Sequence, residues 1–171
     1  RNHIAHLELI GPDDIPRFAA LGVTANCQPY WACANALVRQ VTLPLLGEER
    51  ADDLYPFAAL RAAGAALAMG SDWPVSTFDP WLGIHVAVTR RPPGEADAAP
   101  LGAAQSLELA TALDAYTRGS ADLLGIGPGT LAPGAPADLA IADRDPFAGP
   151  AVGIHETRTN ATVVAGEVLA L

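Results

Sequence analysis

The sequence predicts an α/β fold followed by a β-rich tail. Short apolar runs alternate with longer amphipathic ones over the first two-thirds of the chain, and each short run ends in a polar loop. From Gly127 onward, Pro and Gly punctuate segments too short for helices. The first pattern is that of parallel strands joined by helices packed outside them, and the second marks short strands and turns. At 171 residues and 50% hydrophobic, the chain has material for a sizeable core.

In chain order, His3 to Leu7 reads as a strand. Gly11-Pro12-Asp13-Asp14 opens a helix whose apolar face is Ile15, Phe18, Ala19 and Leu21, with Pro in the first turn and acids at the positive helix end. Gly22 ends that helix, and Val23 to Gln28 is the second strand, running into the loop Pro29-Tyr30-Trp31. An irregular stretch follows. Leu54 to Ala63 repeats the helical pattern, Gly64 closes it, and Ala65 to Gly70 is the third strand, broken by Ser71-Asp72-Trp73-Pro74. Asp79-Pro80 starts a helix to about Arg90, and Arg91 to Gln105 is a Pro-, Gly- and Ala-rich loop. Ser106 suits the N-cap of a helix running towards Thr117, and a second short helix ends at Gly125. In the tail, Asp138 to Ala142, Thr159 to Val164 and Val168 to Leu171 read as strands. The expected division is residues 1–125 as strand-and-helix units and 126–171 as a separate β layer.

The net charge of −9, with only ten Lys and Arg, argues against a nucleic-acid partner, which needs clustered cations to neutralise phosphates. No apolar run approaches the ~20 residues that span a bilayer, and Arg1-Asn2-His3-Ile4 has no signal-peptide character, so no membrane partner and a cytoplasmic location are the expectation. Cys27 and Cys33 are too few for a disulfide scaffold and read as buried free thiols.

If parallel strands and helices form a barrel, its chemistry sits at the C-terminal strand ends. The first strand ends in His6, the second in Gln28, and the third leads to Asp72. Imidazole and carboxylate suit a divalent metal such as zinc, although a catalytic zinc generally has three protein ligands plus water. His85 falls on an apolar helix face and reads as packing or pocket lining, and His155 as a surface residue of the tail. Trp31, Trp73 and Trp81 fall in loops expected at the open face, where they can line an apolar pocket, and the Gln28 amide can lie near a substrate.

Three of these segments also resemble a known family. Arg1-Asn2-His3-Ile4-Ala5-His6 resembles the R-x-R-I-E-H segment of YtcJ-like amidohydrolases (amidohydrolase family 3, related to N-substituted formamide deformylases). Gln28-Pro29-Tyr30-Trp31-Ala32 is similar to their Q-P-Y-W-A, and Gly70-Ser71-Asp72-Trp73-Pro74-Val75 to their G-S-D-W-P-V. Pro80 to Ile84, Ala87 to Arg90, Ala115-Tyr116-Thr117 and Gly129 to Gly134 follow the same pattern, so the resemblance covers nearly the whole chain.

The resemblance implies the C-terminal part of a distorted (β/α)₈ TIM barrel plus a segment of a small β-sandwich. His6 would stand at the end of strand six as a metal ligand, and Asp72 at the end of strand eight as metal ligand and catalytic proton carrier. Gln28, Trp31 and Trp73 would contact substrate. The family's strand-one H-x-H pair, strand-four Lys or acid and strand-five His have no counterpart among these residues. Ala5 stands where the family usually has an acid, which removes a partner able to orient a ligand. The implied activity of the intact enzyme is hydrolysis of a non-peptide C–N bond in a small amide or formamide, using one or two divalent ions, zinc foremost, with a homo-oligomer as a possible assembly. The alternatives are deamination or ring opening on the same scaffold, or a non-catalytic remnant acting in packing or oligomerisation.

Overall fold

The computed structural model describes residues 1–169, in two three-stranded sheets. The first sheet contains β1 (His3–His6), β2 (Thr24–Cys27) and β3 (Leu67–Met69) in that spatial order. All pairings are parallel, with His6 opposite Cys27 and Cys27 opposite Met69. Parallel neighbours need crossover connections, and each connection here carries a helix. The helices are α1 (Ile15–Ala20) between β1 and β2, then α2 (Leu43–Leu46) and α3 (Phe57–Ala62) between β2 and β3. Mixed α/β architecture is therefore as the sequence indicates.

Several boundaries differ from the sequence reading for identifiable reasons. Helix α1 begins at Ile15, with Pro16 rather than Pro12 in its first turn. A start at Asp13 would place Pro16 where its missing N–H is needed for the first intrahelical bonds. The stretch after Trp31, unassigned from sequence, forms a π-helical turn at Val38–Thr42 that runs into α2. Pro44 cannot donate to the carbonyl four residues back, and the wider turn, in which Leu43 N–H reaches the Val38 carbonyl, accommodates it. A 3₁₀ segment, Glu48–Asp53, then leads to a bridge between Leu9 and Leu54 that ties the loop after β1 to the approach to α3.

After β3 come α4 (Pro80–Thr89), α5 (Leu109–Asp114) and α6 (Ser120–Leu124). The Asp79 carboxylate accepts from the Trp81 N–H at 2.9 Å and caps α4, so Trp81 lies in a helix and not in a loop of the open face. Ser106 does not cap α5. The Leu107 N–H is drawn to the Ala87 carbonyl at 2.9 Å, which pulls the chain towards α4 and delays the helix to Leu109. A π turn, Ala115–Gly119, joins α5 to α6, and Gly125 (φ 71°) ends α6.

The second sheet contains β4 (Leu139–Ala142), β5 (Thr159–Val164) and β6 (Glu167–Leu169), all antiparallel, with β5 central. The last two residues of the expected third tail strand lie outside the described residues. The tail packs on α4 through the 3₁₀ turn Ala151–Glu156, so that Ile154 joins the same core as Ile84, Phe57 and Leu60. His155 is accordingly half-buried, not a surface residue: its ring sits edge-on to His85 with centroids 4.8 Å apart.

Candidate functional site

His6, Gln28 and Asp72 lie at or just beyond the C-terminal ends of β1, β2 and β3. The strands are parallel and in register, so all three residues fall at one end of the sheet. The strands that lead to His6 and Asp72 flank β2, two strand spacings or roughly 10 Å apart along the sheet, and Asp72 stands in the loop after β3, past its last residue Met69.

Both candidate ligands have backbone conformations rare for residues with a Cβ, φ 68° at His6 and φ 63° at Asp72. Each conformation is held by hydrogen bonds. Around His6 the chain makes a three-residue turn in which the Leu7 N–H donates to the Ala5 carbonyl at 2.9 Å. At Asp72 the carbonyl accepts from the Val75 N–H at 2.8 Å and the Ser76 N–H at 3.3 Å, and the Ser76 hydroxyl donates to the Ser71 carbonyl. Such conformations cost about 1–3 kcal/mol each and persist where surroundings over-determine them.

Gln28 is only 6% exposed. Its Oε1 accepts from the His6 backbone N–H at 2.6 Å, and its Nε2 donates to Asn26 Oδ1 at 2.9 Å. Trp31 ends a 3₁₀ turn, its ring edge-on to Tyr30 at 5.7 Å, with its indole Nε1 buried and unpartnered. Trp73 is 65% exposed, and Val75 and Phe78 of the same loop are exposed too. Sequence reasoning missed two supports of this end of the sheet. Asn26 partners Gln28, and the Ser120 hydroxyl bonds Met69 at the end of β3. Neither residue has a sequence signal, because a strand Asn and a mid-helix Ser are unremarkable until the partner is known.

The amidohydrolase family's sequence model matches residues 1–170. The chain belongs to the amidohydrolase family. Among its relatives is the YtcJ protein of Bacillus subtilis (strain 168), 26% identical over 170 residues, or 98% of this chain and 32% of that protein. A 5-methylthioadenosine/S-adenosylhomocysteine deaminase of Halobacterium salinarum is 29% identical over 143 residues, 84% of this chain and 32% of the deaminase. The solved structure of an uncharacterized metal-dependent hydrolase from Pyrococcus horikoshii OT3 superposes with a TM-score of 0.66 at 29% identity, over 87% of this chain and 30% of that one. The chain thus spans about a third of the length of these relatives.

As donors for the divalent metal expected of this amidohydrolase chain, a neutral imidazole and a carboxylate fit in kind. They fall short in number: among the described residues no three His, Cys, Asp or Glu side chains gather as a metal-binding group. The two cysteines are not candidates. Burial raises the Cys27 thiol far above its usual range and pushes Cys33 up to about 11, so neither is a thiolate near neutrality. No helix among the described residues is long and apolar enough to cross a membrane.

Proposed function

We propose that this chain contributes His6 and Asp72 to the divalent-metal centre, zinc by ligand chemistry, of a hydrolase that cleaves non-peptide C–N bonds in small amides or formamides. The observation that carries this reading is their placement at the same end of one parallel sheet, His6 at the end of β1 and Asp72 in the loop after β3, each at a positive φ. In this reading β1 to β3 are strands six to eight of a (β/α)₈ barrel within residues 1–125, and residues 126–171 belong to a small composite β-sandwich.

The bound metal would supply an activated water and polarise the scissile carbonyl. His6 would hold it through an imidazole nitrogen. Asp72 would take the proton of the attacking water and return it to the leaving nitrogen, acting as base and then as acid. Trp31 and Trp73, with the Gln28 N–H not engaged by Asn26, would contact the substrate, and Val75 and Phe78 make the loop after β3 suited to an apolar substituent. Two ligands are fewer than the three a catalytic zinc takes, so the reaction belongs to a protein that supplies the others, and the 171 residues alone should bind zinc weakly and without turnover.

The test has two arms. Zinc is titrated into the purified chain and into its His6→Ala and Asp72→Ala variants, and each is assayed against a panel of N-acyl and N-formyl amines. Weak zinc binding reduced by both substitutions, with no turnover, supports the reading. Zinc affinity indifferent to both would sink the site, and turnover abolished by Asp72→Ala would show that the chain completes a site by itself.

A further inference from the structure

We propose that Gln28 is a positioning residue, with its amide setting the backbone of His6 for metal ligation and Asn26 holding that amide in turn. The inference rests on His6 being a metal ligand, as proposed above.

The argument starts from the His6 backbone. A strand residue normally lies near φ −120°, whereas His6 stands at φ 68° between a parallel strand and a tight turn. This conformation swings the Cα–Cβ bond away from the direction the strand would give it, so whatever fixes the two peptide groups around His6 fixes where the imidazole begins. The following peptide is fixed by the Leu7 N–H on the Ala5 carbonyl at 2.9 Å. The preceding peptide is fixed by the His6 N–H on Gln28 Oε1 at 2.6 Å.

Gln28 can do this because it is itself immobilised. It is buried, it follows the central strand β2 directly, and its Nε2 donates to Asn26 Oδ1 at 2.9 Å on the same strand. The chain from Asn26 through Gln28 to His6 therefore transmits the rigid middle of the sheet to the exposed edge strand β1. Groups that orient a metal ligand typically alter metal affinity about 10–100-fold. Ala5 leaves the residue before His6 without a polar side chain, which places this duty on the neighbouring strand.

Gln28→Met keeps the side-chain length and removes the acceptor, whereas Gln28→Glu keeps an oxygen for the His6 N–H once the Asn26 amide turns over. Two quantities are read on the full 171-residue chain: hydrogen exchange of the His6 amide relative to those of Ile4 and Ala25, and zinc affinity by titration calorimetry, a readout that does not need the His6 ring. Gln28→Met should speed His6 exchange at least ~10-fold while leaving the mid-strand amides alone, and weaken zinc about 10-fold. Gln28→Glu should stay within about 3-fold of the parent on both. A Met variant indistinguishable from the parent, a Met variant with faster exchange but unchanged zinc affinity, or a Glu variant as impaired as Met would each overturn the proposal. If Gln28→Met does not fold, Asn26→Ala, which frees the Gln28 amide without replacing it, makes the same comparison with a loss of about 3-fold expected. His6→Ala separates the two failures. If it leaves zinc affinity unchanged, the metal reading itself falls; if it weakens zinc while Gln28→Met does not, only the positioning role falls.

Discussion

The Ser120 hydroxyl engages both backbone hydrogen-bonding groups of Met69, accepting from its N–H at 3.3 Å and sharing its one hydrogen between the Met69 carbonyl at 2.7 Å and the Ala115 carbonyl at 2.9 Å. β3 is an edge strand of its sheet, so these groups point away from β2 and would otherwise lack a partner in the fold. The contact is possible because the π turn before α6 brings Gly119 against the Leu67 carbonyl. Ser120→Ala should lower stability by about 1–2 kcal/mol in urea unfolding, the cost of leaving a largely buried backbone group unsatisfied. Gly119→Ala should cost more, since its Cβ would stand 2.1 Å from a backbone oxygen that cannot rotate aside. If Gly119→Ala unfolds at the parent's urea concentration, the packing of this turn on β3 is wrong.

Acid should loosen the joint between the tail and α4. His85 is 1% exposed and neither ring nitrogen has a partner at good hydrogen-bond geometry; burial first, then the facing His155, lower its pKa from 6.5 to about 4, against the weaker opposing pull of the Ala151 and Pro92 backbone. The folded state therefore disfavours the charged ring. Its contribution to stability is full above about pH 6.5 and is lost as pH falls towards 4, an effect of roughly 1–2 kcal/mol after solvent screening. His85→Leu should flatten that part of the stability profile. A slope between pH 6.5 and 4 equal in parent and variant would assign the acid sensitivity elsewhere.

Arg90 should resist conservative replacement. It is 0% exposed, and it donates to the carbonyls of Leu101, Leu54 and Tyr55 at 2.7, 2.8 and 3.2 Å. Its guanidinium carbon also lies over the Tyr55 and Phe57 rings at 5.9 and 5.6 Å. A lysine cannot reproduce this planar fork, so Arg90→Lys should destabilise by about 2–4 kcal/mol through the carbonyls left unsatisfied. Thermal and chemical unfolding would measure it, and a loss under about 0.5 kcal/mol would mean that the fork is not what holds these segments together.

Both cysteines should be silent to thiol reagents while the chain is folded. Burial holds Cys33 at about 11 and Cys27 higher still, and thiolate is the reacting species. Labelling with a disulfide reagent at pH 8 should track global unfolding. Rapid labelling of either cysteine in native buffer would contradict the burial described for it.

The strand ends were legible in the sequence because they combine two independent signals, an apolar run and a polar residue immediately after it. His6 and Gln28 carry that signal, whereas Asp72 lies past Gly70 and Ser71 and stands out through the resemblance of Gly70 to Val75 to the family's G-S-D-W-P-V; the sheet brings all three to one end. What the residue types could not reveal is how each is used. Gln28 reads as a substrate amide on its own, and only the 2.6 Å bond to the His6 backbone shows what its oxygen faces. The π turns at Val38–Thr42 and Ala115–Gly119 were illegible for a different reason: each is one residue of register in an otherwise helical segment, set by Pro44 in one case and by the fit of Gly119 to Leu67 in the other. The His85–His155 contact joins residues seventy positions apart in sequence, and no local pattern encodes it.

Helix α4 packs on the Pro29–Trp31 turn after β2 and on the Ala151–Glu156 turn of the tail, and so joins the two parts of the chain. On the tail side, Trp81 Nε1 donates to the Thr159 hydroxyl of β5 at 3.1 Å, and Ile154 shares its core. The covalent link between the two sheets, by contrast, runs through Thr130 to Gly134, all exposed to solvent. A protease that nicks this link would therefore not release the tail, and the two halves produced from separate genes would be expected to find each other and co-purify. In this protein the backbone between the sheets serves as a tether, and the side chains of α4 carry the attachment.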